Sequence, residues 1–214
     1  MREVSPVKKS YLTTAFRKTA REFSAQTETL NAAFDARLSQ LRRENADASP
    51  EKQRHLESQI LPGIAAYETL QTVMPKEQAL QTVHGYVERR AWRLKRIFVR
   101  LLHIPGLYRK VPSVFAAQTT KLFGTAAGFA ATELQTTGGV WRIDMTKCPY
   151  HDACVQYGCP ELCRCFCDSD DITYDGMHPK LLWHRTKTLG RGGDCCDFCL
   201  KLTSQGGDSG TANV

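Results

Sequence analysis

Phe16, Phe23, Leu30, Phe34 and Leu41 recur at intervals of four or seven residues, the spacing that aligns side chains along one face of a helix. The pattern predicts one long amphipathic helix over residues 8–46, ended by Asp47-Ala48-Ser49. Ser49-Pro50-Glu51 then opens a second helix: a serine oxygen can accept from the free N–H groups of a first turn, where proline is also tolerated. Leu56, Ile60, Ile64, Tyr67, Leu70 and Val73 keep the helical period, and Pro62-Gly63 is expected to kink or split it, because proline lacks the N–H and crowds the preceding turn. Pro75 starts a third helix with Leu80, Val83, Val87, Leu94, Phe98 and Leu101 on its buried side, and Ile104-Pro105-Gly106 stops it. Between Val111 and Leu134 the sequence predicts one shorter helix and a small-residue connection, "GTAAGFAA".

The period changes after Gly138-Gly139. In "VWRIDMTKC", Trp141, Ile143 and Met145 alternate with Arg142, Asp144 and Thr146, as in a strand with one buried face. "LLWHRTKTL", residues 181–189, reads as another strand; Gly190 to Asp194 can turn the chain so that "CCDFCLKL" returns antiparallel to it. Short helical pieces are expected around residues 150–157 and 160–167. The fold class is therefore α+β, with a helical N-terminal part packed against a small antiparallel sheet unit at the C-terminus. By region, residues 1–137 are predominantly helical, 138–204 form a cysteine-rich α+β unit, and 205–214 are a flexible tail. A single domain whose helices cover one face of the sheet is the alternative.

Composition narrows the class. Apolar residues make up 42% of the 214, enough for a buried core. No apolar run is long enough to span a bilayer and the first residues carry no apolar signal core, so a cytoplasmic protein is the expectation. All nine cysteines lie between Cys148 and Cys199. Disulfides are rare in a reducing compartment, and an odd count leaves one thiol unpaired, so thiol chemistry, metal binding and plain packing rank above disulfides. The net charge of +7 is concentrated in the first 110 residues and peaks at "ERRAWRLKRIFVR", residues 88–100. Such a stretch can attract nucleic acid, an acidic surface or an anionic ligand. Trp92, Leu94, Ile97, Phe98 and Leu101 interrupt the charges at spacings that suit burial of one side, so a solvated helix face is the expectation and a nucleic-acid partner is not.

The cysteines carry the chemistry. Their spacing includes one C-x2-C pair, Cys196 and Cys199, and no second pair of the usual kind, so a four-ligand zinc site or a cluster is poorly specified. His151, His178 and His184 could add nitrogen ligands. A catalytic thiol needs a lowered pKa, and a neighbouring carboxylate works against it, acting more plausibly as a general base. For Cys154, Cys159, Cys163, Cys165, Cys195 and Cys199, filling the core is the expected role.

"CPYHDACVQYGCPELCRCFCDSDD" followed by "HPKLLWHRTKTLGRGGDCCDFCL" resembles the L-2-amino-thiazoline-4-carboxylic acid hydrolase family. The elements that carry the resemblance are Cys148, Pro160-Glu161-Leu162, Cys167 with Asp170 and Asp171, Arg185-Thr186 with Thr188-Leu189, the Gly192-Gly193-Asp194 turn and Cys196-Asp197-Phe198. The resemblance implies a small α+β enzyme that opens a thiazoline ring with water to give a carbamoylated cysteine. It implies Cys167, Asp170, Asp171 and Cys196 as catalytic residues. Arg185, Thr186 and Thr188 are then the expected substrate contacts, with Arg185 pairing a substrate carboxylate through two hydrogen bonds. If a metal takes part, a divalent ion such as zinc on Cys148, Cys167 and Cys196 is the candidate.

Other readings stay open: a non-hydrolytic isomerase, cyclase or lyase on the same scaffold, or a zinc or iron–sulfur binding module. Arg185 as a carboxylate clamp competes with a cross-strand ion pair to Asp197. The expected partner is a small carboxylated molecule; an exposed remainder of the helix stripe would make the protein a homodimer.

Overall fold

The computed structural model describes residues 10–203. Helix α1 (Tyr11–Ala20) and helix α2 (Thr27–Glu44) replace the single long helix expected over 8–46, whose residues 8 and 9 lie outside the described range. The chain breaks between them, and Thr27 Oγ1 donates back to the carbonyl oxygens of Ala20 and Phe23. The break lets the apolar stripe fold onto itself, with the rings of Phe16 and Phe34 stacked 4.3 Å apart. A straight helix would have left half of that stripe in water.

Ser49 caps helix α3 (Pro50–His55) by accepting from Lys52 N–H. The chain runs through one wide π-type turn, Leu56–Ile60, into helix α4 (Leu61–Leu70). The wide turn accommodates Pro62 without ending the helix. Gly63 is needed for a different reason: a Cβ there would meet the Phe166 ring at 2.7 Å. Helix α5 (Lys76–Leu102) begins after Pro75 as expected. Its core residues include Val83 and Val87, whereas Trp92, Ile97 and Leu101 are exposed, correcting the burial expected for them.

Helix α6 (Val111–Leu122) is followed by strand β1 (Ala130–Gln135), which had been taken as the end of a connection. Strands β2 (Val140–Lys147), β3 (Leu181–His184) and β4 (Cys196–Leu202) complete an antiparallel sheet of order β1-β2-β4-β3. Trp141, Ile143 and Met145 are buried on one face as their alternation predicts. β3 stops at His184, five residues short of Leu189 at the end of the expected run, and the chain leaves the sheet at Arg185. Helices α7 (Pro149–Gln156) and α8 (Cys163–Tyr174) lie between β2 and β3 in the chain, and α8 extends well beyond the short piece expected. The fold is α+β.

Two apolar cores result. One joins α1 to α5 with α7 and α8, and takes in Cys154, Cys159, Cys163 and Cys165 as packing groups. The other lies between α6 and the sheet and includes Trp141, Trp183 and Leu200. Residues on both sides of position 138 share the first core. None of the nine cysteines is in a disulfide. No helix among the described residues is long and apolar enough to cross a membrane.

Candidate active site

A cavity of about 650 Å³ lies where the two cores meet, lined by residues of both. Cys148, Cys167, Asp170, Arg185 and Cys196 all open onto it. Local rules bring them there. On α8, Cys167 and Asp170 are three residues apart and so share one helix face. On β4, Cys196 and Phe198 alternate with Asp197, and Cys196 pairs with Met145 of β2. Cys148 stands at the N-terminus of α7.

Arg185 organises this end of the cavity. Its side chain is 1% exposed. Nη2 donates to the Cys167 carbonyl oxygen at 2.7 Å and to Asp171 Oδ2 at 2.5 Å, while Nη1 reaches Asp170 Oδ2 at 3.5 Å. The guanidinium also lies 5.1 Å from the centre of the Phe198 ring. Two carboxylates therefore share its charge, and Asp197, the cross-strand alternative, is bonded to Thr186 and Lys187 instead. Asp171 also accepts from Trp183 Nε1 at 2.8 Å and does not line the cavity. Asp170 does line it. Burial in the protein pushes the Asp170 carboxyl up to about 7; Arg185 pulls it down and Asp171 adds to the rise.

The thiols of the cavity all stay protonated at neutral pH. Burial raises Cys148 to about 12, opposed by the backbone N–H groups of His151 and Tyr150. Burial also raises Cys196 to about 11, opposed by the Leu189 N–H that its sulfur accepts at 3.3 Å. Cys167 is raised by the Cys163 thiol 3.9 Å away and by burial, with Arg185 opposing. Gly190 packs so closely that a Cβ would come within 3.0 Å of both Cys163 and Cys167 sulfurs. Cys148, Cys167 and Cys196 do not gather as a ligand set: among the described residues no group of three His, Cys, Asp or Glu side chains could hold a metal ion. The zinc expectation finds no support in this donor arrangement.

Thr186 and Thr188 do not line the cavity. Asp197 accepts from the backbone N–H of Thr186 at 2.9 Å and of Lys187 at 2.8 Å, and from the Thr186 hydroxyl. Thr188 is buried in the turn, where its carbonyl oxygen accepts from Arg191 and Gly193. These residues hold the loop that delivers Arg185. Glu161 has a similar task, accepting from the Tyr67 hydroxyl and pairing with Lys76 at 2.8 Å, which ties the segment before α8 to α4 and α5.

A polar chain with no signal in the sequence pattern lines the same cavity. His55 Nε2 donates to the Leu122 carbonyl oxygen at 2.9 Å, which leaves Nδ1 to accept from the Tyr150 hydroxyl at 3.3 Å. Burial lowers the His55 pKa, in keeping with a neutral ring. Gln59 Nε2 donates to Tyr150 Oη, and Tyr11 donates to Gln59 Oε1, each at 3.2 Å. His55 and Gln59 come from consecutive helical turns around the π-type segment. A lone histidine in an amphipathic helix carries no spacing signal, so only Tyr150, inside the "CPYHDAC" stretch, lay near a motif.

No curated protein and no solved structure matches the chain. A family model does match over residues 53–200, a span that includes the polar chain from His55 to Tyr150 as well as Cys148, Asp170, Arg185 and Cys196. The chain thus belongs to the L-2-amino-thiazoline-4-carboxylic acid hydrolase family.

Proposed function

We propose that this protein is a hydrolase of a carboxylated cyclic amidine of the 2-amino-thiazoline type, adding water to the C=N carbon and opening the ring. The observation that carries the reading is the convergence of Asp170, Arg185, Cys148, Cys167 and Cys196 on one cavity. A carboxyl that titrates near neutral pH is suited to taking and returning a proton.

Asp170 is the general base and acid. As carboxylate it takes a proton from water while the water oxygen bonds to the C=N carbon, and the ring nitrogen then receives that proton. Asp170 next takes the proton of the new hydroxyl as the C=O bond forms and the C–S bond breaks, and delivers it to the leaving sulfur. The product is the substrate plus one water, a carbamoylated amino acid with a free thiol. Arg185 and Asp171 position Asp170, and the Tyr150 hydroxyl, backed by neutral His55, is a fixed polar group facing the reacting centre. Protonated thiols are weak nucleophiles, so attack falls to water and the cysteines shape the wall.

The direct test is incubation with carboxylated 2-aminothiazolines in heavy-oxygen water, followed by mass spectrometry. One labelled oxygen in the product, together with a new titratable thiol, is the expected result. A product of unchanged mass would assign the scaffold to isomerisation instead. Asp170→Asn should abolish turnover with the circular dichroism intact. Cys167→Ser should keep turnover within about tenfold of wild type; complete loss in a folded variant would assign the attack to the sulfur.

A further inference from the structure

The cavity is larger than the ring it is proposed to open. Its volume, about 650 Å³, is that of sites for drug-sized ligands, roughly 300–1,000 Å³, whereas an aminothiazoline carboxylate is a single five-membered ring with two small substituents. Aromatic rings make up a large part of its walls. Phe115, Trp141, Tyr174, Trp183 and Phe198 form one group with neighbouring centroids 4.9 to 6.4 Å apart. Phe123, Phe129 and Phe166 pack against His55 and Tyr150.

Charge is distributed to match. Arg185, a cation deep in the cavity, is taken up by Asp170 and Asp171. The other cations that line it, Arg54, Arg90 and Lys121, are exposed and so mark the mouth, together with Val114 and Gln118. Among the described residues none of these three cations has a carboxylate partner. Glu51 is the remaining charged residue of the lining, so three cations against one carboxylate leave a net positive charge there for an anionic group, while the reacting carbon must reach Asp170.

We infer that the substrate is a long amphiphile: an anionic group at the mouth, an aromatic or alkyl body along the ring-lined wall, and the reacting C=N group at Asp170. The inference rests on the proposed hydrolysis only for the identity of that reacting group. Body and anion are read from the wall and the mouth. A compound no larger than the aminothiazoline carboxylate would leave most of the apolar wall unused.

The test uses the full-length protein and unreactive probes, a series of ω-phenylalkanoic acids from phenylacetic to phenylhexanoic, titrated by the fluorescence of the wall residues Trp141 and Trp183 or by calorimetry. Kd should fall roughly fourfold per added methylene, the ratio equivalent to about 0.8 kcal/mol. Each acid should bind at least about tenfold tighter than its neutral amide, and the exposed double substitution Arg54→Gln with Arg90→Gln should remove that preference. A Kd independent of chain length, equal binding of acid and amide, or 2-aminothiazoline-4-carboxylate binding as tightly as the longest acid would overturn the inference. Probe binding as expected, with no thiazoline opened whatever its substituent, leaves the inference standing and removes the hydrolase reading. Rapid opening of the small heterocycle by a protein that binds no phenylalkanoate does the reverse.

Discussion

Asp170 and Arg185 show what a single side chain contributes here. The carboxyl rises from an ordinary 3.8 to about 7, so between those values the native state holds a proton that the unfolded chain has released. The contribution of Asp170 to stability is therefore complete below about pH 4 and is lost as pH rises through about 7. The difference in unfolding free energy between Asp170→Asn and wild type should shift in favour of the variant across that interval; a difference independent of pH would contradict the raised carboxyl. The same group predicts that kcat/KM rises with a midpoint at about pH 7. Arg185→Gln should move that midpoint upward, because the guanidinium opposes the rise. A clamp on substrate would instead raise KM and leave the midpoint in place. Motif spacing pointed to both residues. That Arg185 serves the two aspartates, and that Asp171 does not itself line the cavity, depends on where β3 ends and could not be read from spacing.

The elements are built around close approaches. Gly63 lets the Phe166 ring of α8 sit against α4, where a Cβ would be 2.7 Å away. Gly63→Ala should therefore destabilise the protein by about 1–3 kcal/mol, as overpacking does, seen as a lower Tm. It should also lower kcat, since Phe166 itself lines the cavity on the helix that carries Asp170. An unchanged Tm would mean that the ring yields freely. The helices were legible because each buries a continuous stripe, and α5 begins where Pro75 announces it. The break between α1 and α2 was not legible, since a stripe folded onto itself has the same period as a straight one. Strand β1 was missed for a related reason: nearly all its residues are exposed, so no alternation marks an edge strand of this kind.

At the scale of the whole molecule, the cavity belongs to neither core alone. A ligand that fills it touches both, so saturation with a tightly bound phenylalkanoate should raise Tm in one cooperative transition, by the equivalent of about 2.7 kcal/mol at a hundred times Kd. Two transitions, of which one moves, would show the cores to be uncoupled. The mouth adds a kinetic signature. Arg54, Arg90 and Lys121 attract an anion before it enters, so kcat/KM for a charged substrate should fall as ionic strength rises while that for a neutral analogue stays flat. Parallel behaviour of the two would leave the mouth without a steering role.

The sequence by itself determined the α+β class, most of the helices, the buried face of β2, the packing role of the inner cysteines and the family motifs of the last third. All of these are written in local period or spacing, which short-range geometry converts directly into faces and turns. Only the tertiary structure decided that Tyr11, His55, Gln59 and Tyr150 line one cavity with Cys148 and Asp170, that Thr186 and Thr188 hold a loop, and that the basic excess of the first 110 residues reaches the cavity through Arg54 and Arg90. The reason is distance along the chain: Gln59 and Tyr150 are 91 residues apart, and no local pattern records which helix wall will meet which sheet face.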